Sequence, residues 1–349
     1  MRKTVAIPEE LMKSRTTQED IRYFESQGVE TMIGMPEKGE LLLDKIRSVD
    51  GLIVGVMKVD EEVFNKCDRL KVVASFGVGF DNIDIREATK HGVIIFNVPG
   101  LFSDAVANLT IGLMLSATRK VLVGDRGVRN SEWTRIKPTC VGSDVQGKIL
   151  GIVGLGGIGY AVARKCMSAF NMKVMVYDPF VSAQKATQLN IHKVEGLEEL
   201  LSGSDVISIH CPLTDETREL IGARELSLMK PTAYLINTAR GGVVDERALF
   251  KALKDRKIAG AAIDVMEEEP PEPDNPLLKL DNIIITPHIG ASTYEGIRAV
   301  YRVVRENVCK VLDGNLPQYP AKVVNEDVLS AKPRALPSPE SSPTQVRRQ

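Results

Sequence analysis

A histidine and an arginine, each set at the end of an apolar run, are the residues of this chain best suited to proton transfer on an anionic substrate. A group that gives or takes a proton near neutral pH should titrate there itself, which makes histidine the natural choice. The chain has four histidines. His91 precedes Gly92 at an expected helix end, where capping accounts for it, and His192 sits among polar residues in an edge segment. His210 ends the run Val206-Ile207-Ser208-Ile209, and His288 follows Ile283-Ile284-Ile285-Thr286. Ligands of open α/β sheets gather at the carboxyl ends of strands, so His210 and His288 both stand as candidates. Arg240 follows Ile236-Asn237-Thr238-Ala239 and precedes Gly241-Gly242. A guanidinium stays charged at any working pH, and its planar fork matches a carboxylate. An arginine among small residues at a strand end is poorly explained as a surface charge.

A second group of residues suits a nucleotide. Gly154-Leu155-Gly156-Gly157-Ile158-Gly159 stands directly behind the apolar run Ile149-Leu150-Gly151-Ile152-Val153. In a strand–turn–helix context the first glycine allows the tight turn, the second lets backbone approach a pyrophosphate, and the third lets the helix pack close to the strand. The helix start then offers unpaired N–H groups and a positive dipole end to the anion. The strand Val174-Met175-Val176-Tyr177 ends at Asp178, 19 positions after Gly159. An acidic residue about 20 positions on is where the ribose 2′-hydroxyl of NAD is held. A carboxylate there repels the additional phosphate of NADP, so NAD is the expected cofactor. The other reading of Asp178 is a turn residue before Pro179.

These residues need a frame, and the chain supplies one. Short Val/Ile/Leu runs alternate with helical stretches, with expected strands at 3–7, 51–54, 71–75, 93–96, 149–153, 173–177, 205–209, 233–236, 259–263 and 282–285. Several runs lack clean polar alternation, as expected where helices cover both faces of a parallel sheet. The fold class is therefore α/β, with doubly wound parallel sheets. Two long helices are expected, from about Ser103 to Val123 and from about Ser292 to Leu312, and they are read as the two connections between domains. The expected domains are 1–100 with 291–329, 101–290, and a disordered tail over 330–349, where Pro337-Ser338-Pro339 and Ser341-Ser342-Pro343 cannot build a core.

Composition narrows the classes. The chain has 349 residues, 43% hydrophobic and 26% charged, with a formal net charge of −1. That is a globular balance with no global field toward nucleic acid or a membrane surface. No apolar run reaches the roughly 18 residues of a membrane span. Cys67, Cys140, Cys166, Cys211 and Cys309 are scattered without a CxxC pair, which suggests reduced thiols in a cytoplasmic setting and no metal site.

Several strings together resemble the D-isomer-specific 2-hydroxyacid dehydrogenases. They are Gly77-Val78-Gly79-Phe80-Asp81, the Gly154–Gly159 turn, Asn237-Thr238-Ala239-Arg240-Gly241-Gly242-Val243-Val244-Asp245-Glu246, Asp264-Val265 through Glu269-Pro270, and Thr286-Pro287-His288-Ile289-Gly290-Ala291. The resemblance implies a Rossmann cofactor domain inserted into a flavodoxin-like substrate domain, with the substrate in a cleft between them. It selects His288 as general acid/base and leaves His210 lining the cofactor site. It pairs His288 with Glu269, the last acid before Pro270, in a run that otherwise reads as a solvated loop. It gives Arg240 to substrate binding and carbonyl polarisation, and the amides of Val78 and Gly79 to the substrate carboxylate. Asp264 would hold the nicotinamide carboxamide. The remaining cofactor candidates are Cys211, Pro212, Thr217, Thr238, Ala239, Gly290 and Ala291, with Asn108 and Thr110 weaker. Trp133 reads as a packing or subunit-contact residue. The apolar positions Leu109, Ile111, Leu113, Met114 and Leu115 fit either a homodimer contact or packing within one chain.

Within the resemblance, the glyoxylate/hydroxypyruvate reductases match Ala74 to Asn82 and Asp104-Ala105-Val106-Ala107 best. Phosphoglycerate dehydrogenases are the alternative. They carry an arginine after the strand matching Leu52-Ile53-Val54, where this chain has Gly55-Val56-Met57-Lys58. The chain also ends too soon for their regulatory domain, so a serine response is not expected. A reading of another class is a binding module like the C-terminal-binding-protein corepressors, which share the fold and respond to NADH; the Pro/Ser tail would suit it.

Overall fold

A computed structural model describes residues 2–8, 11, 18–35 and 45–330, so the expected tail from 331 on lies outside the described residues. The chain divides into two compact units. One contains Met1–Phe76, Asn82–Val98 and the chain from Tyr301 on; the other contains Gly77–Asp81 and Pro99–Val300.

The first unit is built on a six-stranded sheet of β1 (Lys3–Pro8), β2 (Val29–Met35), β3 (Gly51–Val54), β4 (Val72–Ser75), β5 (Ile94–Asn97) and β13 (Lys322–Val323). The order is β13-β5-β4-β3-β1-β2, so the five N-terminal strands follow the flavodoxin-like winding. β13 pairs antiparallel with β5, which makes one edge of an otherwise parallel sheet mixed. The Asn325 side chain extends that edge: its Oδ1 accepts from Ile95 N at 2.8 Å and its Nδ2 donates to Val93 O at 2.8 Å. β3 and β4 are buried at every position, because apolar residues lie on both sheet faces.

The second unit holds β6 (Ile149–Val153), β7 (Lys173–Tyr177), β8 (His192–Lys193), β9 (Val206–Ile209), β10 (Tyr234–Asn237), β11 (Gly260–Ile263) and β12 (Ile283–Ile285). Their order is β12-β11-β10-β9-β6-β7-β8, the dinucleotide-binding winding, and the pairings are parallel. Although most of its strands read as largely apolar runs, their side chains still alternate. Ile207, Ile209, Leu235, Ala261, Ile263 and Ile283 join a core with Leu200, Leu249 and Leu253. Val206, Ile236, Ala262 and Ile284 join another with Leu113, Val162 and Cys166. Two apolar faces require helices on both sides of the sheet.

The strands β2, β8 and β13 were not among the expected ones. β8 and β13 have two residues each, too short for a pattern, and β2 carries Gly34 with a φ of +75°. The expected helix from Ser103 to Val123 also differs: it is Ser103–Thr118, followed by a separate helix Val121–Arg129 bent from it by 66°. The break lies at Lys120, left-handed with a φ of 54°. The Thr118 carbonyl is taken by Ser143 N at 2.8 Å, and no glycine or proline marks the break in sequence. Leu113 and Met114 are buried, with Leu109, Ile111 and Leu115 packed against the same core, so packing within one chain accounts for this apolar stripe. No single helix among the described residues is long and apolar enough to cross a membrane.

Candidate active site

The second unit brings the candidate residues to the carboxyl ends of its parallel strands. β6 runs into Gly154, whose φ of +92° is left-handed and whose Cβ would stand 2.7 Å from Cys211 N. Only glycine meets both demands. Asp178, at the end of β7, then closes the turn. Its Oδ2 accepts from Leu155 N at 2.7 Å and its Oδ1 from Phe180 N at 2.8 Å. Each carboxylate oxygen has further acceptor capacity for a hydroxyl donor. A Cβ on Gly156 would meet open space, and the helix Gly157–Phe170 starts there without a side-chain cap. Unclaimed helical N–H groups facing open space fit a phosphate. Asp178 is thus a turn residue whose carboxylate accepts from two backbone N–H groups and keeps acceptor capacity beyond them.

His210 follows β9 and lies behind this turn. Its Nε2 is 2.8 Å from Ser208 Oγ, while the buried Nδ1 has no hydrogen-bond partner among the described residues. Burial lowers its pKa to about 3. A ring held neutral in this way cannot serve as an acid near neutrality, so geometry separates it from His288.

β10 ends in a turn wound by Asn237, whose Oδ1 accepts from Ala239 N at 3.0 Å and whose Nδ2 donates to Arg240 O at 2.9 Å. Arg240 is thereby set with its side chain 30% exposed. Its Nε donates to Asp81 Oδ1 at 2.8 Å and its Nη1 to Ala239 O at 2.8 Å. The guanidinium lies against Gly79, where a Cβ would come within 1.4 Å of Nη2. Any side chain at 79 would displace the arginine.

His288 follows β12, and its Nδ1 is 2.7 Å from Glu269 Oε2. Glu269 Oε1 accepts from Met266 N at 3.0 Å. Burial alone would raise the Glu269 carboxyl. The His288 hydrogen bond and charge, the Met266 N–H and the Arg240 charge outweigh it and hold the pKa below the ordinary value. An ionised carboxylate only accepts, so His288 carries a proton on Nδ1, turned toward Glu269. The neighbouring acids are occupied or remote. Glu267 N donates to Glu246 Oε1 at 2.6 Å, and the Glu267 carboxylate accepts from Glu246 N at 3.3 Å. Glu268 is exposed.

Asp264, one residue past β11, is 1% exposed. Its Oδ1 accepts from Thr286 Oγ1 at 2.6 Å and Ile289 N at 2.9 Å, its Oδ2 from Gly290 N at 2.7 Å. Its carbonyl accepts from His288 N at 2.9 Å. His288 itself has a φ of 52°, a left-handed conformation costing a non-glycine residue on the order of 1 kcal/mol.

The lesser candidates have occupations of their own. Thr110 Oγ1 lies 2.8 Å from Thr238 Oγ1, Asn108 accepts from Lys165 Nζ at 2.8 Å, and Thr217 Oγ1 donates to Pro212 O at 2.6 Å. Burial pushes the Cys211 thiol up to about 11. Ile158 and Gly159 lie in the first turn of the helix after the glycine loop, and Ala291 directly follows Gly290. His91 caps its helix, with Nδ1 3.0 Å from Glu87 O, and His192 stands on the edge strand β8. Trp133 is 65% exposed, which rules out burial within its own chain. Asp81, Asn237 and Thr286 were missed as supporting residues. Asp81 and Arg240 are 159 positions apart, and only the fold joins them.

Residues 111–290 match the model for the NAD binding domain of the D-isomer specific 2-hydroxyacid dehydrogenases. The chain is 44% identical over 303 residues to glyoxylate reductase from Thermofilum pendens, covering 85% of this chain and 88% of the relative. It is 44% identical over 300 residues to D-3-phosphoglycerate dehydrogenase from Methanocaldococcus jannaschii, covering 85% of this chain but only 56% of that relative. A crystal structure of D-lactate dehydrogenase from Aquifex aeolicus complexed with NAD and lactic acid superposes with a TM-score of 0.81 at 29% identity, covering 92% of this chain and 99% of that one.

Proposed function

The chain belongs to the D-isomer specific 2-hydroxyacid dehydrogenase family, and on that premise we propose that it transfers a hydride between NAD(H) and a small 2-oxo or 2-hydroxy acid of the glyoxylate/hydroxypyruvate type. The Glu269–His288 pair, at 2.7 Å, carries this reading. When bound, the cofactor supplies or accepts the hydride. The Gly154–Gly159 turn and the helix start at Gly157 would hold its phosphates, Asp178 its ribose, and His210 the space beside them.

The chain's own residues supply the rest. In the reducing direction, His288 Nε2–H would give a proton to the substrate's carbonyl oxygen, matching the hydride that the cofactor would supply to the carbonyl carbon. The proton and hydride together turn C=O into CH–OH. Glu269 stabilises the imidazolium before transfer and holds its ring orientation. Arg240 draws the substrate carboxylate and polarises the carbonyl, with the Val78 and Gly79 amides as further partners of that carboxylate. Since Arg240 Nε serves Asp81 and one Nη1 hydrogen serves Ala239 O, Nη2 and the other Nη1 hydrogen are the donors it would bring to that carboxylate.

The small-acid preference is supported by the sequence of the first unit, where Gly55-Val56-Met57-Lys58 carries no arginine and Lys58, 79% exposed, lies 3.2 Å from Asp60. NADH oxidation with glyoxylate, hydroxypyruvate, 3-phosphohydroxypyruvate and pyruvate tests it. The largest kcat/KM is expected with glyoxylate or hydroxypyruvate. A preference for 3-phosphohydroxypyruvate would make the phosphoglycerate reading correct. Tight NADH binding without turnover on any of the four would favour the corepressor-like module.

A homodimer is part of this reading. Val121, Val128, Trp133 and Val141 are 51%, 47%, 65% and 74% exposed within one short stretch, an apolar surface suited to a second copy. A solution mass equal to one chain would refute it. Five free thiols support a cytoplasmic setting.

A further inference from the structure

We propose that Asn82 is a positioning residue for the substrate, whose carboxamide holds the loop Gly77–Asp81 in the arch that presents the Val78 and Gly79 amides to a substrate carboxylate. The inference rests on reading those amides as partners of that carboxylate. The loop has a buried foot at each end and an exposed span between them. Phe76 and Ile83 are each 5% exposed, whereas Val78 and Phe80 are 38% and 37% exposed. At the first foot Phe76 N donates to Val54 O at 2.7 Å, and the Phe76 ring packs on the buried Tyr301 ring with centroids 4.7 Å apart. At the second foot Asn82 Nδ2 donates to Gly55 O at 3.1 Å and to Met57 O at 2.6 Å. The Asn82 carbonyl accepts from Val59 N at 2.9 Å. Both feet therefore stand on one segment, from Val54 to Val59, which carries on from β3.

The direction of these hydrogen bonds separates Asn82 from an ordinary turn residue. Asp84, two positions on, acts locally: its Oδ1 accepts from Arg86 N and Glu87 N, each at 3.0 Å, and so caps the helix Ile85–Lys90. Asn82 instead directs both Nδ2 hydrogens to carbonyls 27 and 25 positions away. A carboxamide is the short side chain with two such hydrogens on one atom. A carboxylate has none and would turn its oxygens toward the two carbonyl oxygens, and a hydroxyl has one. With the second foot released, the span from Gly77 to Asp81 is fixed at Phe76 alone, and its amides no longer converge on one anion. The glycine turn at Gly154 and the acid Asp178 lie far along the chain in the other unit. The loss therefore falls on the 2-oxo acid and spares the cofactor.

The test uses the full chain as wild type, Asn82→Ala, Asn82→Ser and Asn325→Ala. It measures KM and kcat for glyoxylate and hydroxypyruvate, NADH affinity by fluorescence, affinity of the NADH complex for oxalate, and the unfolding midpoint. Asn82→Ala is expected to raise KM and weaken oxalate binding about 10- to 30-fold, with kcat and NADH affinity within about 3-fold of wild type. Asn82→Ser keeps one donor on a shorter arm and moves both quantities about 3- to 10-fold in the same direction. It carries the comparison should Asn82→Ala fold poorly. Asn325→Ala removes hydrogen bonds from Ile95 N and to Val93 O at the sheet edge of the same unit. It lowers the unfolding midpoint as Asn82→Ala does, yet leaves KM within about 2-fold. Unchanged KM and oxalate affinity in both Asn82 variants would overturn the proposal. So would an equal rise of KM in Asn325→Ala, or a loss confined to NADH affinity. If the wild type reduces neither acid, the hydride-transfer reading fails instead, and oxalate binding still decides the role of Asn82. Equal oxalate affinity in wild type and Asn82→Ala, or none in wild type, would then overturn it.

Discussion

His210 and His288 both follow parallel strands of one sheet, and their surroundings divide them. Around His210 the chain places a hydroxyl, Ser208 at 2.8 Å, and enough burial to bring its pKa down to about 3. Around His288 it places a carboxylate at 2.7 Å and leaves the side chain 36% exposed. The same residue type at the same kind of position becomes a buried neutral ring in one place and a half-exposed ring paired with a carboxylate in the other, the pairing on which the proposed function rests. What reaches the second ring nitrogen decides which.

The widest separation between the two should appear in turnover. His288→Asn removes the proton donor and is expected to lower kcat by about 10³-fold, within the span assigned to general acid–base catalysis. His210→Asn leaves the acid in place and is expected to change kcat by less than about 10-fold, with its effect mainly on KM for NADH. Stopped-flow and steady-state NADH oxidation distinguish them. Equal losses in kcat would mean that the contrast between the rings has been misassigned.

A smaller effect follows from Glu269. Its carboxyl is held below the ordinary value mainly by His288, against the opposing effect of burial. Its depressed pKa means that the pair's stabilisation is present above the ordinary carboxylate value and is lost as pH falls through the lowered one. Glu269→Gln removes the charge that favours imidazolium. Turnover should fall about 10-fold at neutral pH. Glu267→Gln, which keeps an acceptor for Glu246 N, should stay within about 3-fold of wild type. If the two variants traded places, the acid run would have been read from the wrong end.

Much of this was legible from residue order alone. Strand–glycine–helix–acid is a local pattern, and Gly154, Asp178 and their spacing carry it. The largely apolar runs at 206–209 and 233–236, in which Ser208 is the one hydroxyl of a non-aromatic residue, announced a sheet covered on both faces. The support around the site was less legible. Asp264 acts on backbone N–H groups, which every residue has, so nothing in the type of Ile289 or Gly290 marks them as partners. Asp81 meets Arg240 only after the chain has folded. The bend at Lys120 has no glycine or proline to announce it, and two-residue strands such as β8 and β13 are too short to show a period. The choice among Glu267, Glu268 and Glu269 needed the family resemblance in sequence, whereas in the structure the Glu246 contact and solvent account for the first two.

The smallest effect is one of stability, and it sharpens the contrast between the rings from the opposite direction. A histidine held neutral by burial has its folded pKa, about 3, below the ordinary 6.5. Above 6.5 neither state binds the proton, and the contribution to stability is complete. As pH falls from 6.5 toward 3, the unfolded chain takes up a proton that the native ring refuses, so stability is lost through that window. The limiting slope for one such group is about 1.4 kcal/mol per pH unit. Between pH 7 and 5 the wild-type chain should therefore lose on the order of 1–2 kcal/mol more than His210→Asn, which has nothing to titrate there. Denaturant unfolding of both proteins at several pH values within that window measures the difference, which cancels the groups they share. Parallel pH dependences would mean that His210 takes up a proton in the native protein, and the claim that its burial sets it apart from His288 would fall.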